Sequence, residues 1–169
     1  MERTLLNEAI ARLQLAETLL DIQTTVRTAA RRVARAEGST FVLRDGDKCF
    51  YADEDAMSPL WKGQRFPITQ CISGWAMLND DVAIVPDIFE DARVPIEAYR
   101  PTFVKSLVMV PVGSPAPVAA IGSYWARVHR PSDEQLSMLH ELAREVASAI
   151  DRVGLQDAPF TPPYSTSQT

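Results

Sequence analysis

The chain has 169 residues, a hydrophobic fraction of 46% and a charged fraction of 23%, which suits one globular domain with a buried core. Its formal net charge of −5 argues against general nucleic-acid binding, because neutralising phosphates requires a basic patch. The N-terminus is charged and amphipathic, and no stretch approaches the roughly 18 apolar residues of a membrane span. We therefore expect a cytoplasmic protein with neither a nucleic-acid nor a membrane partner.

The N-terminal segment predicts a long amphipathic helix that carries a coiled-coil seam. Its apolar residues recur at spacings of three and four for about two heptads. A second apolar stripe continues on a rotated face to Ala36 and stops at Gly38, and Asp21 is placed to cap a second helix where the face changes. The residues of the first seam are Leu6, Ala9, Leu13, Ala16 and Leu20.

The next segment predicts a β-hairpin followed by a short helix. Strand-forming residues at 39–44 and 48–52 flank the turn Asp45-Gly46-Asp47, and Asp-Gly supplies the positive φ that tight hairpins need. The acidic residues 53–55 favour the start of a helix that runs to about Leu60, because carboxylates stabilise helix N-termini.

The central segment predicts short elements separated by turns. Residues 63–69 form an extended piece containing a proline, and residues 72–79 form a short helix. Residues 82–85 form a strand. The polar, proline-rich stretch 87–101 is predicted to be irregular, with one helical turn near 96–100.

The C-terminal part predicts a second hairpin and a second long helix. Residues 106–112 and 118–126 are strong strands joined by a Gly-Ser-Pro-Ala-Pro loop. Ser132 with Gln135 forms a capping box at the start of the last helix. Beyond that helix, proline, serine and threonine dominate, which predicts a disordered tail over residues 155–169. The last helix carries a second seam of Leu136, Leu139, Ala143, Val146 and Ile150.

These elements predict an α+β fold, an α/β sandwich. Adjacent strands joined by short loops imply an antiparallel sheet. We expect both long helices to cover one face of the sheet and residues 53–104 to cover the other.

Four parts of the chain carry sequence motifs that, taken together, are specific for one family. They are Phe66-Pro67-Ile68 with Ile72-Ser73-Gly74-Trp75-Ala76, Val85-Pro86-Asp87-Ile88 with Asp91-Ala92-Arg93-Val94-Pro95, Lys105-Ser106-Leu107-Val108-Met109-Val110-Pro111-Val112, and Ala120-Ile121-Gly122. In this combination the chain resembles a GAF domain over about residues 20–153. The resemblance is strongest to the GAF input domains of bacterial two-component sensor histidine kinases.

The resemblance implies a GAF/PAS-like sheet of five or six antiparallel strands. It also implies terminal helices on one face that pair in a dimeric bundle, and a small-molecule pocket on the other face. The chain would then divide into a signalling helix (1–20), a GAF domain (21–154) and the tail (155–169). We expect a homodimer, with a signalling partner such as a histidine kinase. The expected dimer interface comprises Leu6, Leu13, Leu20, Leu136, Leu139, Ala143 and Val146.

The known chemistries of such domains are each disfavoured by particular residues. The cysteine that attaches a bilin is usually followed by histidine, whereas Cys71 is followed by Ile72. The cysteine position of the methionine sulfoxide reductases is occupied by Ser73, which predicts that Cys71 is buried and inert. The histidines, at 129 and 140, have no partner at ligand spacing. We therefore expect no catalysis, no metal and no identified cofactor.

A cluster of aromatic residues with a few polar groups predicts the ligand pocket. Ser123 and Trp125 share one strand face by period-two alternation, and we expect that face to line the pocket. The same aromatics could equally fill a second core. The predicted ligand-binding residues are Trp61, Phe66, Cys71, Ser73, Trp75, Asp87, Tyr99, Met109, Ser123 and Trp125.

The resulting hypothesis is a non-catalytic sensory GAF domain that binds an unknown small molecule and signals through a dimeric helical bundle, in two-component signal transduction. The alternative is a ligand-less GAF domain that serves dimerisation and protein interaction. A divergent GAF-fold reductase is disfavoured by the positions of the cysteines.

Overall fold

The computed structural model describes residues 1–155, so nearly all of the predicted tail lies outside the described residues. No helix in this range is long and apolar enough to cross a membrane. The helices are α1 (Glu2–Leu15), α2 (Leu19–Val33), α3 (Ile72–Asn79), α4 (Ile96–Tyr99) and α5 (Asp133–Val153). The strands are β1 (Gly38–Asp45), β2 (Lys48–Ala56), β3 (Arg65–Pro67), β4 (Ala83–Val85), β5 (Ser106–Val112) and β6 (Ala119–Trp125).

The six strands form one antiparallel sheet in the order β3-β2-β1-β6-β5-β4. Both predicted hairpins are present, and β1 and β6 join them in the centre. The first hairpin closes where predicted, because Asp45 pairs with Lys48 and Gly46 adopts a φ of 61°. The α+β fold predicted from the sequence is confirmed.

The sheet separates two hydrophobic cores. The helix-side core lies between the sheet and α1, α2 and α5. The pocket-side core lies between the sheet and the segment that contains α3, α4 and their connecting loops. This two-sided arrangement is the one predicted from the order of elements.

The two leucine seams pack within a single chain, which corrects the predicted dimer interface. α1 folds back and contacts both α2 and α5, so Leu13 is only 1% exposed. The apolar residues of the first seam pack against helices of the same chain. They are therefore not available to contact a second chain. Leu20 is the exception, since 62% of it remains exposed. Leu6, Leu13, Leu139, Ala143 and Val146 are fully buried in the helix-side core, and Leu136 is partly buried against it.

The turn between α1 and α2 explains how the chain folds back. The Thr18 hydroxyl accepts a hydrogen bond from the Asp21 amide (3.1 Å), and the Asp21 carboxylate accepts one from the Thr18 amide (3.1 Å). This capping box places the helix start at Thr18, with Asp21 in its first turn. From α5, the Arg152 guanidinium donates to the carbonyls of Leu13 (2.8 Å) and Ala16 (2.9 Å) and so holds the corner closed. α2 ends at Val33, earlier than the predicted Ala36.

The predicted helix at residues 53–60 is wrong, because β2 continues to Ala56. Its acidic side chains pair with α2 instead of starting a helix. The buried Asp53 carboxylate accepts hydrogen bonds from Arg27 (2.8 and 3.0 Å), and Asp55 accepts one from Arg31 (2.8 Å). These ion pairs fasten α2 across the edge of the sheet.

Candidate functional site

An aromatic cluster fills the pocket-side core at the point where β2, β3, α4 and β6 meet. Trp61 stands at its centre, with ring centroids 5.6 Å from Tyr51, 4.7 Å from Tyr99 and 5.5 Å from Tyr124. Phe66 packs edge-on against Tyr51 at 5.4 Å. We call the space between these rings the aromatic pocket, and its lining comprises Tyr51, Trp61, Phe66, Cys71, Pro95, Ala98 and Tyr99.

The aromatic pocket is closed in this structure. Its cavity volume is about 10 Å³, at the lower limit of what a single water molecule requires. The protein's own rings therefore occupy the space that a ligand would need, and a ligand can enter only if part of the wall moves.

Trp61 is the part of the wall that comes from a loop, and two sets of hydrogen bonds hold it. The Glu54 carboxylate accepts hydrogen bonds from the amides of Leu60 (2.9 Å), Trp61 (2.9 Å) and Lys62 (2.8 Å). The Trp61 indole donates to the Ala98 carbonyl at 3.0 Å. Glu54 thus orders the loop, and the indole ties it to α4 across the pocket.

Tyr99 contributes an unused polar group to the pocket wall. Its hydroxyl is buried and has no hydrogen-bond partner among residues 1–155. Burial also raises the pKa of this phenol well above its usual value, so it stays a neutral donor. An unpaired buried hydroxyl costs the folded state roughly 1–3 kcal/mol, a cost that a suitable ligand would remove.

A chain of polar contacts runs behind the aromatic rings. The Tyr51 hydroxyl lies 3.1 Å from the Ser73 Oγ, which in turn donates to the Cys71 Sγ at 3.3 Å. The Cys71 thiol donates to the Pro67 carbonyl at 3.6 Å. The influence of Cys49 is the largest cause that lowers the pKa of Cys71, to about 7, and the influence of Cys71, together with burial, raises the pKa of Cys49.

Two glycines permit the close packing around these groups. A Cβ at Gly74 would lie 1.7 Å from the Ile68 carbonyl oxygen, so α3 can approach that turn only with glycine there. A Cβ at Gly122 would lie 2.6 Å from the Tyr124 hydroxyl, which is paired with Thr40 at 2.8 Å. Both glycines belong to the motifs singled out in the sequence.

Comparison with known proteins agrees with this architecture. The family model described as GAF domain matches residues 16–151. The chain belongs to the GAF domain family. No curated protein sequence matches the chain significantly.

Solved structures share the fold of this GAF domain at low sequence identity. The free methionine-R-sulfoxide reductase from Neisseria meningitidis superposes with a TM-score of 0.77 at 16% identity, covering 90% of this chain and 89% of that one. The GAF domain of an Acinetobacter phosphoenolpyruvate-protein phosphotransferase gives 0.77 at 12%, covering 90% and 94%. The chromophore-binding domain of a bacteriophytochrome from R. palustris gives 0.74 at 16%, covering 89% and 61%. At these identities the likeness shows the fold alone.

Most of the predicted ligand-binding residues of the GAF domain do lie on the pocket side of the sheet. Trp61, Phe66, Cys71 and Tyr99 line the aromatic pocket, and Ser73 lies directly behind Cys71. Cys71 is buried as predicted. Met109 belongs to the same core without lining the cavity.

Two predicted residues lie at the edge of this region. Trp75 is partly buried, and the Arg93 guanidinium stacks over its ring at 4.4 Å. The Asp87 carboxylate caps a short helical turn by accepting the Phe89 amide at 3.0 Å, so its role is structural. Neither lines the aromatic pocket.

Ser123 and Trp125 share one face of β6 as predicted, but the face is the wrong one. The Ser123 hydroxyl donates to the Ala30 carbonyl of α2 at 3.1 Å, and Trp125 packs in the helix-side core with its ring 4.6 Å from His129. β6 is buried on both sides, so hydrophobicity does not distinguish its faces. The alternation along β6 could still have identified Tyr124 as a pocket residue, because Tyr124 lies on the face opposite to Ser123 and Trp125. Tyr51 and Tyr124 were missed by the sequence reasoning.

The described residues of the GAF domain offer no metal site. Within residues 1–155, no three His, Cys, Asp or Glu side chains lie together in a way that could hold a metal ion. The chemistry of the pocket therefore rests on aromatic surface, one unpaired hydroxyl and the Cys71 sulfur.

Proposed function

We propose that this GAF domain is a non-catalytic sensor that binds a small molecule in the aromatic pocket and signals through the helix layer. The observation that carries the proposal is the Tyr99 hydroxyl, which is buried on the pocket wall without a hydrogen-bond partner among residues 1–155. Buried polar groups are nearly always paired, and Tyr99 lines the cavity, so we infer that its unpaired hydroxyl takes a hydrogen bond with a ligand atom. The surrounding rings provide the apolar surface that small ligands bury.

Ligand binding at this site must be coupled to a change of shape, because the pocket is closed without a ligand. The movable element is the Trp61 loop, which is held by backbone contacts to Glu54 and one indole hydrogen bond to Ala98. A ligand that replaces the Trp61 ring favours the open state. It shifts the equilibrium by its difference in affinity for the two states, which is the requirement for a sensor.

β6 provides a short route from the pocket to the helices. Tyr124 contacts Trp61 on the pocket side, and the next residue on the strand, Ser123, is hydrogen-bonded to α2 on the other side. A displacement of Trp61 that moves Tyr124 therefore acts on the strand that holds α2. The helix layer is the output surface in this proposal.

The proposal extends to a cytoplasmic homodimer that acts on a signalling partner such as a histidine kinase of a two-component system. Leu15 and Leu20, at the corner between α1 and α2, are 80% and 62% exposed. They replace the buried seam residues as the candidate contact surface. Exposed leucines close together at a helix corner are suited to a protein partner.

Thermal-shift screening of a metabolite library tests the sensor proposal. A ligand at a hundred times its Kd stabilises the native state by about 2.7 kcal/mol, which corresponds to a rise in Tm of about 5–11 °C. We expect at least one compound to raise the Tm of the wild type, and to raise that of Tyr99→Phe less. Tyr99→Phe loses no hydrogen bond in the absence of ligand, so its own Tm should not fall.

Tyr124→Phe serves as the matched control, because its hydroxyl is already paired with Thr40. It should lower the Tm without ligand by breaking that pair and leave the ligand-induced rise largely intact. If no compound stabilises the wild type, the sensor proposal fails. Equal stabilisation of wild type and Tyr99→Phe would remove Tyr99 from the binding site.

A second candidate function is the ligand-less interaction module, and the cavity volume of about 10 Å³ favours it. In that case the aromatic rings are simply a second core, and Trp61 is part of its packing. Sedimentation separates the two candidates. A wild-type dimer that Leu20→Ser converts to monomer, together with an empty ligand screen, would support the interaction module.

A further inference from the structure

The Trp61 side chain occupies the aromatic pocket in the way that a bound ligand would. Its ring packs 4.7 Å from the ring of Tyr99 and 5.6 Å from that of Tyr51, and its indole N–H donates to the Ala98 carbonyl at 3.0 Å. The cavity that remains beside it measures about 10 Å³. The pocket is therefore shaped around an indole ring that belongs to the chain itself.

Two polar atoms of α4 define the hydrogen bonds that an occupant of the pocket can make. The Ala98 carbonyl lies in the last turn of the helix, where carbonyls lack a partner within the helix, and it takes its donor from Trp61. The Tyr99 hydroxyl has no partner among residues 1–155, because an indole side chain donates but does not accept. Trp61 therefore satisfies one of the two positions.

The pocket offers no charge to a ligand. Burial raises the pKa of Tyr51 and that of Tyr99 well above the usual value, so both phenols stay neutral. The two charged groups closest to Trp61 in the chain are engaged elsewhere, since Lys62 pairs with Asp53 at 3.1 Å and Glu54 accepts three backbone amides. A charged ligand would lose its hydration without gaining a counter-charge, which is strongly unfavourable.

We propose that the aromatic pocket takes a neutral, planar, bicyclic heteroaromatic molecule that replaces the Trp61 indole, with an N–H for the Ala98 carbonyl and an acceptor for the Tyr99 hydroxyl. The inference rests on the proposed sensor function and names the class of ligand that the same site binds.

The acceptor is what allows a free molecule to displace Trp61. The Trp61 ring is attached to the chain, so its effective concentration at the pocket is on the order of millimolar or higher. A free indole would make the same contacts and would compete poorly against it. A ligand must add an interaction that Trp61 lacks, and the Tyr99 hydroxyl provides that interaction.

The cavity left by Trp61→Ala tests the hydrogen bond to Ala98. Indole should bind this variant, raise its Tm, and have roughly tenfold higher affinity than benzofuran, which has the same shape but no N–H. Trp125→Ala is the matched control, because the Trp125 indole is also buried and its N–H has no partner among residues 1–155. Its cavity should not prefer indole. Equal affinities of the two compounds for Trp61→Ala would overturn the proposal.

The isomeric indole carboxaldehydes test the hydrogen bond to Tyr99 in a chain that keeps Trp61. They are neutral and carry a carbonyl acceptor at different ring positions. At least one isomer should bind the wild type roughly tenfold more tightly than indole does, and this advantage should disappear in Tyr99→Phe. The proposal fails if no isomer binds better than indole, or if the advantage persists in Tyr99→Phe.

NMR of nitrogen-labelled wild-type protein, in which unlabelled ligands are silent, observes the displacement of Trp61 directly. The three tryptophans provide three indole N–H groups, and Trp61→Ala identifies the signal of Trp61. Saturation with the tightest carboxaldehyde should move that signal away from its hydrogen-bonded position and leave the Trp125 signal in place. Saturation that leaves the Trp61 signal unchanged would contradict replacement of the ring.

The outcomes also separate this inference from the sensor proposal. If the metabolite screen yields a ligand that is charged, or one that leaves Trp61 in place, the sensor proposal stands and the inferred class of ligand is wrong. If neither the screen nor the carboxaldehydes yield a compound that binds the wild type, the sensor proposal fails and this inference fails with it.

Discussion

Replacing Leu13 by alanine distinguishes an intramolecular helix seam from an intermolecular one. Leu13 is 1% exposed inside the chain's own helix layer. Deleting its buried methyl and methylene groups removes about 2.4 kcal/mol of transfer free energy at roughly 0.8 kcal/mol each. The cavity that remains adds to this, so the free energy of unfolding should fall by about 3–4 kcal/mol.

Leu20→Ala is the matched control, because Leu20 belongs to the same sequence seam but is 62% exposed. Its free energy of unfolding should change by less than about 0.5 kcal/mol. Urea denaturation of both variants and the wild type, at a low and a high protein concentration, measures the difference. The loss in Leu13→Ala should be the same at both concentrations. Similar losses in the two variants, or a Leu13→Ala loss that disappears at high concentration, would show that the seam pairs between molecules.

Three further predictions concern the pocket side. Glu54→Gln should lower the free energy of unfolding by about 2 kcal/mol in urea denaturation, because an amide cannot accept all three backbone hydrogen bonds of the Trp61 loop. Glu97→Gln is the control: Glu97 is exposed, so this change should lower the free energy of unfolding by less than about 0.5 kcal/mol. Gly74→Ala should cost more than about 3 kcal/mol, since its Cβ would lie 1.7 Å from a backbone oxygen, and a variant with the wild-type Tm would contradict this packing. Folding lowers the pKa of Cys71 to about 7, so its thiolate stabilises the native state at pH values above the unfolded pKa, and this contribution is lost as the pH falls through 7. Unfolding of the reduced protein between pH 6 and 8.5 should show that rise in stability, and its persistence in Cys71→Ala would exclude Cys71 as the cause.

The local elements of this GAF domain were predictable from the sequence. The Asp45-Gly46 turn, the strand at 106–112 and the capping box of Ser132 with Gln135 are all found where predicted. Each depends on residues within a few positions of one another, whose backbone preferences and hydrogen bonds act before any tertiary contact forms. The family motifs added the arrangement of the sheet and the existence of a pocket side.

Which segments pack against each other was decided only by the tertiary structure. The acidic residues at 53–55 would favour a helix start by themselves, but β2 extends through them because Arg27 and Arg31 of α2 lie opposite. Leu13 could pack against any apolar helix, and the corner at Thr18 brings the helices of its own chain to it.

The same division holds for the site. A cluster of aromatic residues with a few polar groups indicated a ligand pocket, and alternation along β6 correctly grouped Ser123 with Trp125. Which face that group occupies, the contact between Tyr51 and Ser73, and the unpaired hydroxyl of Tyr99 depend on residues far apart in the chain. Sequence periodicity shows which side chains point the same way, whereas what they contact is determined by packing between distant segments, and that appears only when the chain has folded.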